Sequence, residues 1–425
     1  MIRGDTIAAI ATAPGRGGVA VVRVSGPEAF SVAERLTGKR EKGRGIRVGR
    51  IADVDEGVIL SFKSPHSYTG EDVVEFQCHG GTVTPRRVLE ACLAAGARLA
   101  RRGEFTERAF LNGRLDYAQA ECVLDLIDAK TVRAADAALE GLSGRRQRET
   151  RALYEQALDL STRIEHSLDV DEGELPDDFL PSVMSSVSRL KSSLAHAIRR
   201  SAEGRLLKSG ALVVLAGPPN AGKSSLLNAL LDENRAIVSD VPGTTRDSIE
   251  AWIDLDGWPI RLVDTAGLRE SKDEVEVEGV KRSEELLSKA DLVLWLGDPS
   301  SASRLPSSAL RLHPKCDLGR GEGLNVSAKT GEGLDELKRA IVAKLEEKVA
   351  ASDDGDSPEG DVAAYHEALA LLSGGHGTLD ARREEDLVLM ANAVRAAAER
   401  LGEAIGATYS SDMLDNLFSR FCVGK

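Results

Sequence analysis

The 425-residue chain lacks most of the marks of a secreted or membrane protein. Its five cysteines, Cys78, Cys92, Cys122, Cys316 and Cys422, form no close pairs in sequence. That spacing argues against a disulfide framework or a zinc site and leaves buried or free thiols in a reducing cytosol. No apolar run approaches the ~18 residues that a membrane helix requires. The N-terminus has no signal-peptide pattern. A cytoplasmic protein without membrane contact is expected. Excess positive charge is missing too: the formal net charge is −13, so any RNA partner must be met through a local basic patch or through another protein. Internal repeats are absent. What is present is an ordinary globular composition, 42% hydrophobic, at a length that suits about two or three domains.

Short alternating runs fill residues 1–115. Thr6–Ala11, Gly18–Val24, Gly57–Phe62 and Asp72–Gln77 read as strands, with helices near Pro27–Leu36 and Thr84–Ala94. This is a small α+β domain. From 116 to 209 apolar residues recur at helical spacing, among them Leu124, Ile127, Leu153, Ile164, Leu190, Leu194 and Ile198. Residues 210–348 alternate strand and helix, as α/β domains do. An acidic, polar stretch over 349–361 reads as a linker. Helical spacing returns over 362–425, through Leu369, Leu372, Leu387, Val394 and Leu401. The economical architecture is an α/β domain inserted into a helical domain built from both flanks, which close domain termini make tolerable.

The stretch Gly217-Pro218-Pro219-Asn220-Ala221-Gly222-Lys223-Ser224-Ser225 fits the phosphate-loop pattern. An apolar strand, Ala211–Ala216, precedes it and a helical run follows. Glycines let successive backbone N–H groups turn inward around phosphate oxygens, and the helix N-terminus adds partial positive charge. Lys223 is expected on the β- and γ-phosphates and Ser224 on Mg²⁺. Further along, Val263-Asp264-Thr265-Ala266-Gly267 ends a strand: Asp264 can hold the Mg²⁺ shell and the Gly267 N–H can meet a γ-phosphate. In Gly243-Thr244-Thr245-Arg246-Asp247, Thr245 would complete the Mg²⁺ shell only when a γ-phosphate is present, the usual switch. In Pro314-Lys315-Cys316-Asp317, Asp317 can read the guanine N1 and N2 hydrogens. Val326-Ser327-Ala328-Lys329 offers a backbone N–H to the guanine carbonyl. Pro314 stands where such segments carry Asn, and Pro has neither a side-chain amide nor a backbone N–H. The span from Asp291 to Pro314 is short for a strand, helix and strand.

Gly-x-Pro-Asn-x-Gly-Lys-Ser, Gly-Thr-Thr-Arg-Asp and Asp-Thr-Ala-Gly-Leu-Arg together resemble the Era-like GTPases. The flanking segments Ala13–Ala20, Tyr68–Asp72, Cys78–Gly81, Gly103–Gly113 and the terminal Phe421-Cys422-Val423-Gly424-Lys425 narrow the resemblance to the MnmE, or TrmE, family of tRNA uridine-modification GTPases. It covers essentially the whole chain. The resemblance implies a multidomain fold: an N-terminal α+β folate-binding-like domain, a helical domain and an inserted α/β P-loop GTPase domain. It also implies the activity. With a flavin-dependent partner, MnmG, family members install a carboxymethylaminomethyl group on carbon 5 of the wobble uridine of certain tRNAs. They use a tetrahydrofolate one-carbon unit, in 5-formyl or methylene form. The N-terminal domain dimerises, giving a homodimer that joins MnmG in a heterotetramer.

Site residues follow from the same resemblance. GTP and its metals would be held by Asn220, Ala221, Gly222, Lys223, Ser224, Ser225, Ser239, Thr244, Thr245, Asp264, Thr265, Ala266, Gly267, Lys315, Asp317, Ser327, Ala328 and Lys329. K⁺ would take Asn220, the backbone carbonyls of Ser239 and Val241, and Thr244; the family usually has Thr at Ser239. Such an ion neutralises charge developing on the phosphates, work that an arginine finger does elsewhere. Mg²⁺ would take Ser224 and Thr245, with Asp264 one shell out. Lys223 and Glu276 would be catalytic, Glu276 positioning the attacking water through a second water. Arg23, Glu75, Arg114 and Lys425 match folate contacts, Arg114 replacing a usual Lys. Phe421-Cys422-Val423 reads by default as buried core; the resemblance places Cys422 near the folate, with a role in modification. Two other classes stand against this reading: an Era-like ribosome-assembly switch that binds rRNA, and a scaffold with a degraded GTPase. The first normally adds a KH domain or a tandem G domain, and the segment after Asp361 reads as helical. The second conflicts with intact Lys223, Ser224, Thr245, Asp264 and Glu276.

Overall fold

The computed structural model describes residues 4–40, 43–168, 176, 178–233, 250–265, 285–297, 309–351, 361–374, 384–405, 414 and 417–425. The chain divides into two compact units. One comprises Met1–Leu124, Gly141–Gly144 and Thr408–Lys425; the other comprises Asp125–Glu140 and Arg145–Ala407.

Alternation builds the first unit. Its strands are β1 (Ile7–Ile10), β2 (Val19–Ser25), β3 (Gly45–Ile51), β4 (Asp55–Phe62), β5 (Val73–His79) and β6 (Arg98–Leu99), arranged in the order β3-β4-β5-β2-β1-β6. Every pairing is antiparallel except that of β1 with β6. Because side chains alternate along a strand, Ala20, Val22 and Val24 of β2 share one face. They pack there with Val32 and Leu36 of α1 (Ala29–Thr37) and Val88 and Cys92 of α2 (Thr84–Ala94). The opposite face joins Ile7 and Ala9 to Phe105 of α3 (Glu104–Leu111), with Tyr68 packed against them. Sequence reasoning missed β3. It is an edge strand that leaves Ile46 and Val48 exposed and alternates them with Arg and Gly, so it carries no buried stripe. The chain end belongs to this unit: Leu417, Phe418 and Phe421 pack with Ala120, Val123 and Leu124 of α4 (Tyr117–Asp128). Cys422 is exposed, against the default of a buried thiol, because the neighbouring Phe421 takes the core position and turns Cys422 outward.

The second unit contains α5 (Val132–Leu142) up to Glu140, α6 (Arg145–Leu168) and α7 (Phe179–Ser209). Leu153, Leu160 and Ile164 of α6 and Leu190, Leu194 and Ile198 of α7 share one core with Tyr365 and Leu372 of the helix Asp361–Ser373 and Met390, Val394 and Leu401 of the helix Glu384–Ile405. Segments from both sides of the α/β region thus make a single helical layer. Gly210 (φ 72) ends α7. A six-stranded sheet follows, in the order β12-β11-β10-β7-β9-β8, formed by β7 (Ala211–Ala216), β8 (Glu250–Leu255), β9 (Trp258–Asp264), β10 (Leu292–Leu296), β11 (Leu310–Pro314) and β12 (Leu324–Val326). It is parallel apart from the β8–β9 hairpin. β7 is buried along its whole length, as a central parallel strand should be. The helix α8 (Lys223–Glu233) follows it, and the helix Leu334–Ala350 closes the sheet.

Candidate functional site

The turn from β7 into α8 is shaped by backbone that side chains tolerate poorly. Gly217 (φ 151) lies so close to β10 that a Cβ there would strike the Leu296 carbonyl. Gly222 has φ 97 and Asn220 has φ 61, the left-handed region that Gly and Asn enter most readily. Lys223 is buried, and its Nζ donates to the carbonyls of Gly217 and Pro218, each at 3.0 Å, so the ammonium lies inside the loop. Ser224 Oγ donates to Asp264 Oδ2 at 2.6 Å, joining the first turn of α8 to the end of β9. Asp264 is 2% exposed. Thr265 is anchored by its hydroxyl, which donates to the Leu215 carbonyl at 3.0 Å. Ala221 and Ser225 flank these groups in the same loop and helix turn.

The segment Lys315–Asp317 leaves β11 and meets the loop. Lys315, at φ 59, reaches back so that Nζ donates to the Asn220 carbonyl at 3.0 Å. Ser327, fully buried, donates its hydroxyl to Asp317 Oδ1 at 2.6 Å. That bond, with smaller help from Lys329 and Lys315, holds the Asp317 carboxyl below its usual range, although the side chain is exposed. The Ser327 N–H already donates to the Glu332 carbonyl, so the backbone donor expected of this segment falls to Ala328 and Lys329. Pro314 ends β11 in register with Val326.

A second cluster forms in the first unit. Arg23 of β2 and Glu75 of β5 are register partners, and Arg23 Nε donates to Glu75 Oε1 at 2.7 Å. The Arg23 guanidinium lies over the rings of Tyr68 (5.4 Å) and Phe105 (5.6 Å). Lys425 is near both charges: burial, then the Arg23 guanidinium, depress its pKa, against an opposing pull from Glu75. The C-terminal segment is tied down by the isolated Arg102 to Val423 bridge and by the Phe105 N–H, which donates to the Lys425 carbonyl at 3.1 Å. Behind the cluster, Glu104 is 3% exposed. Burial alone would raise its pKa, but hydrogen bonds from Arg98, the Arg101 N–H and Arg108 outweigh that and bring it to about 2. Arg108 also pairs with Asp5 and Glu71, and Glu71 accepts from Ser25.

The structure therefore gathers Asn220, Lys223, Ser224, Asp264, Thr265 and Lys315 around one loop, with Asp317 and Ser327 bonded to each other on the segment that carries Lys315. It also gathers Arg23, Glu75 and Lys425. Arg114 is exposed, with its stem against Gly70. Ser239, Val241, Thr244, Thr245, Ala266, Gly267 and Glu276 lie outside the described residues. Sequence reasoning missed Gly297, where a Cβ would press on the Pro218 ring at 2.9 Å. It also missed Tyr68 and Phe105 beneath Arg23; both stand in segments that resemble the family, the available signal. Among the described residues no His, Cys, Asp and Glu cluster suits a metal held by such side chains alone, and no helix is long and apolar enough to cross a membrane.

A largely parallel sheet whose central strand feeds a lysine-lined glycine turn, backed by a Ser–Asp pair, defines a P-loop GTPase. Comparison with known proteins narrows the class. The family models for the GTP-binding protein TrmE N-terminus and the MnmE helical domain match residues 6–114 and 117–422. The tRNA modification GTPase MnmE of Symbiobacterium thermophilum is 42% identical, covering 99% of each chain. That of Heliobacterium modesticaldum is 40% identical over 99% of this chain and 100% of its own. A solved G domain of the T. maritima FeoB iron transporter, 27% identical, covers 32% of this chain and 98% of its own with a TM-score of 0.24, too low to bear on the assignment. The chain belongs to the MnmE family of tRNA modification GTPases.

Proposed function

We propose that this protein is a K⁺-stimulated GTP hydrolase that works with the FAD-dependent protein MnmG. Together they add a carboxymethylaminomethyl group to C5 of the wobble uridine of certain tRNAs, from a tetrahydrofolate one-carbon unit. The observation that carries the nucleotide half is the Ser224–Asp264 bond beside the loop-bound Lys223. The hydroxyl and carboxylate are the hard oxygen donors Mg²⁺ prefers. Mg²⁺ would be held by Ser224 and Thr245, with Asp264 acting through water, and would neutralise phosphate charge. Lys223 would exchange its two carbonyl partners for phosphate oxygens. Of the K⁺ ligands only Asn220 is described, and its left-handed backbone places it at the turn of the loop. Glu276 would position the attacking water.

The cluster of Arg23, Glu75 and Lys425 supports a folate site. Its cations suit the carboxylates of a folate, and the Glu75 carboxylate suits a ring that offers N–H donors. Folate would supply the one-carbon unit. Arg114 would extend the site, and Cys422, being exposed, is accessible for a role in modification. The domain division 1–115, 116–209, 210–348, 349–361 and 362–425, the homodimer, the heterotetramer with MnmG and the cytoplasmic location belong to the same proposal. The helices Asp361–Ser373 and Glu384–Ile405 after the sheet favour it over a ribosome-assembly switch, which would carry a KH domain there. The test compares GTP turnover in KCl and NaCl at matched ionic strength, alongside wobble-uridine modification with the flavoprotein. Faster turnover in K⁺, where the larger ion fits a carbonyl ring, is expected; equal turnover sinks the metal assignment.

A further inference from the structure

The β8–β9 hairpin joins the two stretches that the proposed function treats as nucleotide-sensing. β8 follows residues 234–249, which include Thr244 and Thr245. β9 ends at Asp264 and leads into residues 266–284, which include Gly267 and Glu276. Six register pairs, from Glu250↔Val263 to Leu255↔Trp258, make the hairpin one stiff piece. Its turn is Asp256-Gly257, with φ of 49° and 84°, as a tight two-residue hairpin requires. Asp254 closes that turn by accepting the Gly257 N–H at 2.7 Å.

The start of α5 grips the turn end. Thr131 Oγ1 donates to the Gly257 carbonyl at 2.7 Å, from a side chain that is itself buried. The Arg133 guanidinium lies 4.1 Å from the Trp258 ring centroid, and Trp258 is 1% exposed. A Cβ on Gly257 would meet the Arg133 stem at 2.9 Å, so the arginine lies directly against the turn. The same guanidinium then donates from Nη2 to Glu203 Oε1 of α7 at 2.5 Å. Arg133 thus touches three elements: α5 by its backbone, the hairpin by its stem and guanidinium face, and α7 by its edge. A second joint reinforces the arrangement: the Trp252 ring of β8 packs so tightly over Gly210, where α7 turns into β7, that a Cβ there would collide with it.

We infer that Arg133 is a latch that transmits the nucleotide state of the hairpin to α5 and α7. If a change of nucleotide displaces the open end of the hairpin, the stiff ladder carries that displacement to its turn. There the guanidinium must move with Trp258 or release Glu203. A packed arginine shared between a hairpin and a helix is a contact that can be either kept or broken, and single positions of this kind shift coupling by amounts that exchange rates can resolve. Arg133 touches none of the phosphate-loop groups, so basal hydrolysis does not need it.

The inference rests on the proposal that 234–249 and 266–284 are switch loops, and hydrogen exchange on the full-length protein separates the two. Exchange is compared between GDP and GDP with aluminium fluoride, in K⁺ and Mg²⁺. In the wild type, amides of the hairpin and of residues 130–140 and 198–208 should both respond, the helical ones by about three- to tenfold. Arg133→Ala should keep the hairpin response and keep GTP turnover within about twofold, yet lose the helical response. Arg133→Lys, which retains a cation over the ring without the fork to Glu203, should fall between. Should Arg133→Ala fail to fold, Glu203→Ala removes the guanidinium's partner on α7 and is read the same way. An undiminished helical response in the variants overturns the latch, as does a wild type whose hairpin responds while its helices do not. A wild-type hairpin that does not respond removes the switch-loop reading, and the latch with it.

Discussion

Pro314 closes β11 where an asparagine would tether the segment proposed to read the base, while Asp317 is already oriented by the buried Ser327 hydroxyl. Two separate physical effects follow. The tether serves either base equally, whereas a carboxylate facing two N–H donors distinguishes guanine from adenine. Pro314→Asn should therefore tighten GDP by up to about tenfold, or ~1.4 kcal/mol, and leave the GDP-to-ADP preference near its starting value. Titration of both proteins with fluorescent GDP and ADP checks this; a strongly altered preference would remove Asp317 as the reader. Glu104 carries a second residue-scale expectation. Its pKa in the fold is about 2, against an ordinary 4.5. A carboxyl whose folded value is depressed contributes stability in full above its unfolded value, and loses it as pH falls toward the folded one. The wild type should hence lose its advantage over Glu104→Gln between pH 4.5 and 2. At neutral pH the variant, in which Arg98 and Arg108 lose one buried carboxylate but keep Asp5, should be less stable by about 1–2 kcal/mol. Calorimetric melts of both chains across that range are the measurement.

The decisive element is the strand, turn and helix that forms the phosphate loop, and its stiffness comes from behind as much as from within. Gly297, just after β10, backs the Pro218 ring closely enough that an added methyl must push the loop. Gly297→Ala should therefore weaken GDP binding by about tenfold, since sub-ångström displacement of aligned N–H donors costs electrostatic complementarity. Secondary structure should be unchanged. Equal affinity would mean that the loop relaxes without cost. The loop is also tied laterally to the segment after β11, through the Lys315 ammonium on the Asn220 carbonyl.

For the whole molecule, the helical layer is the test of continuity. Leu194 of α7 is fully buried in a core shared with Tyr365, Met390, Val394 and Leu401, which arrive after the α/β region has been traversed. Leu194→Ala should cost about 2.7–5 kcal/mol through lost burial and a residual cavity. Because both flanks share that core, protease sensitivity should rise in Glu384–Ile405 as well as in α7. Limited proteolysis read by mass spectrometry checks it; nicking confined to α7 would argue against one common core.

Motif spacing and periodicity made the strand, glycine turn and helix over 211–233, the strand that ends at Asp264 and the helices of 117–209 legible from sequence. Local backbone demands encode each of them: glycines where φ is positive, apolar residues at a period of two or of 3.6. The family was legible for the same reason, through contiguous segments such as Gly103–Gly113. What needed tertiary structure was everything assembled from distant positions. The exposed edge strand β3 has no buried stripe to announce it. Gly297 is ordinary in sequence, and its constraint comes from the Pro218 ring of the phosphate loop and the Trp295 ring beside it. Cys422 could not be told from core until Phe421 was seen to take the buried place. Arg133 reads as one cation among many, and only folding brings it between Trp258, 125 positions on, and Glu203, 70 positions on. Local sequence determines which conformations a segment favours; which side chains then share a low-dielectric contact is decided by packing between segments that carry no record of one another.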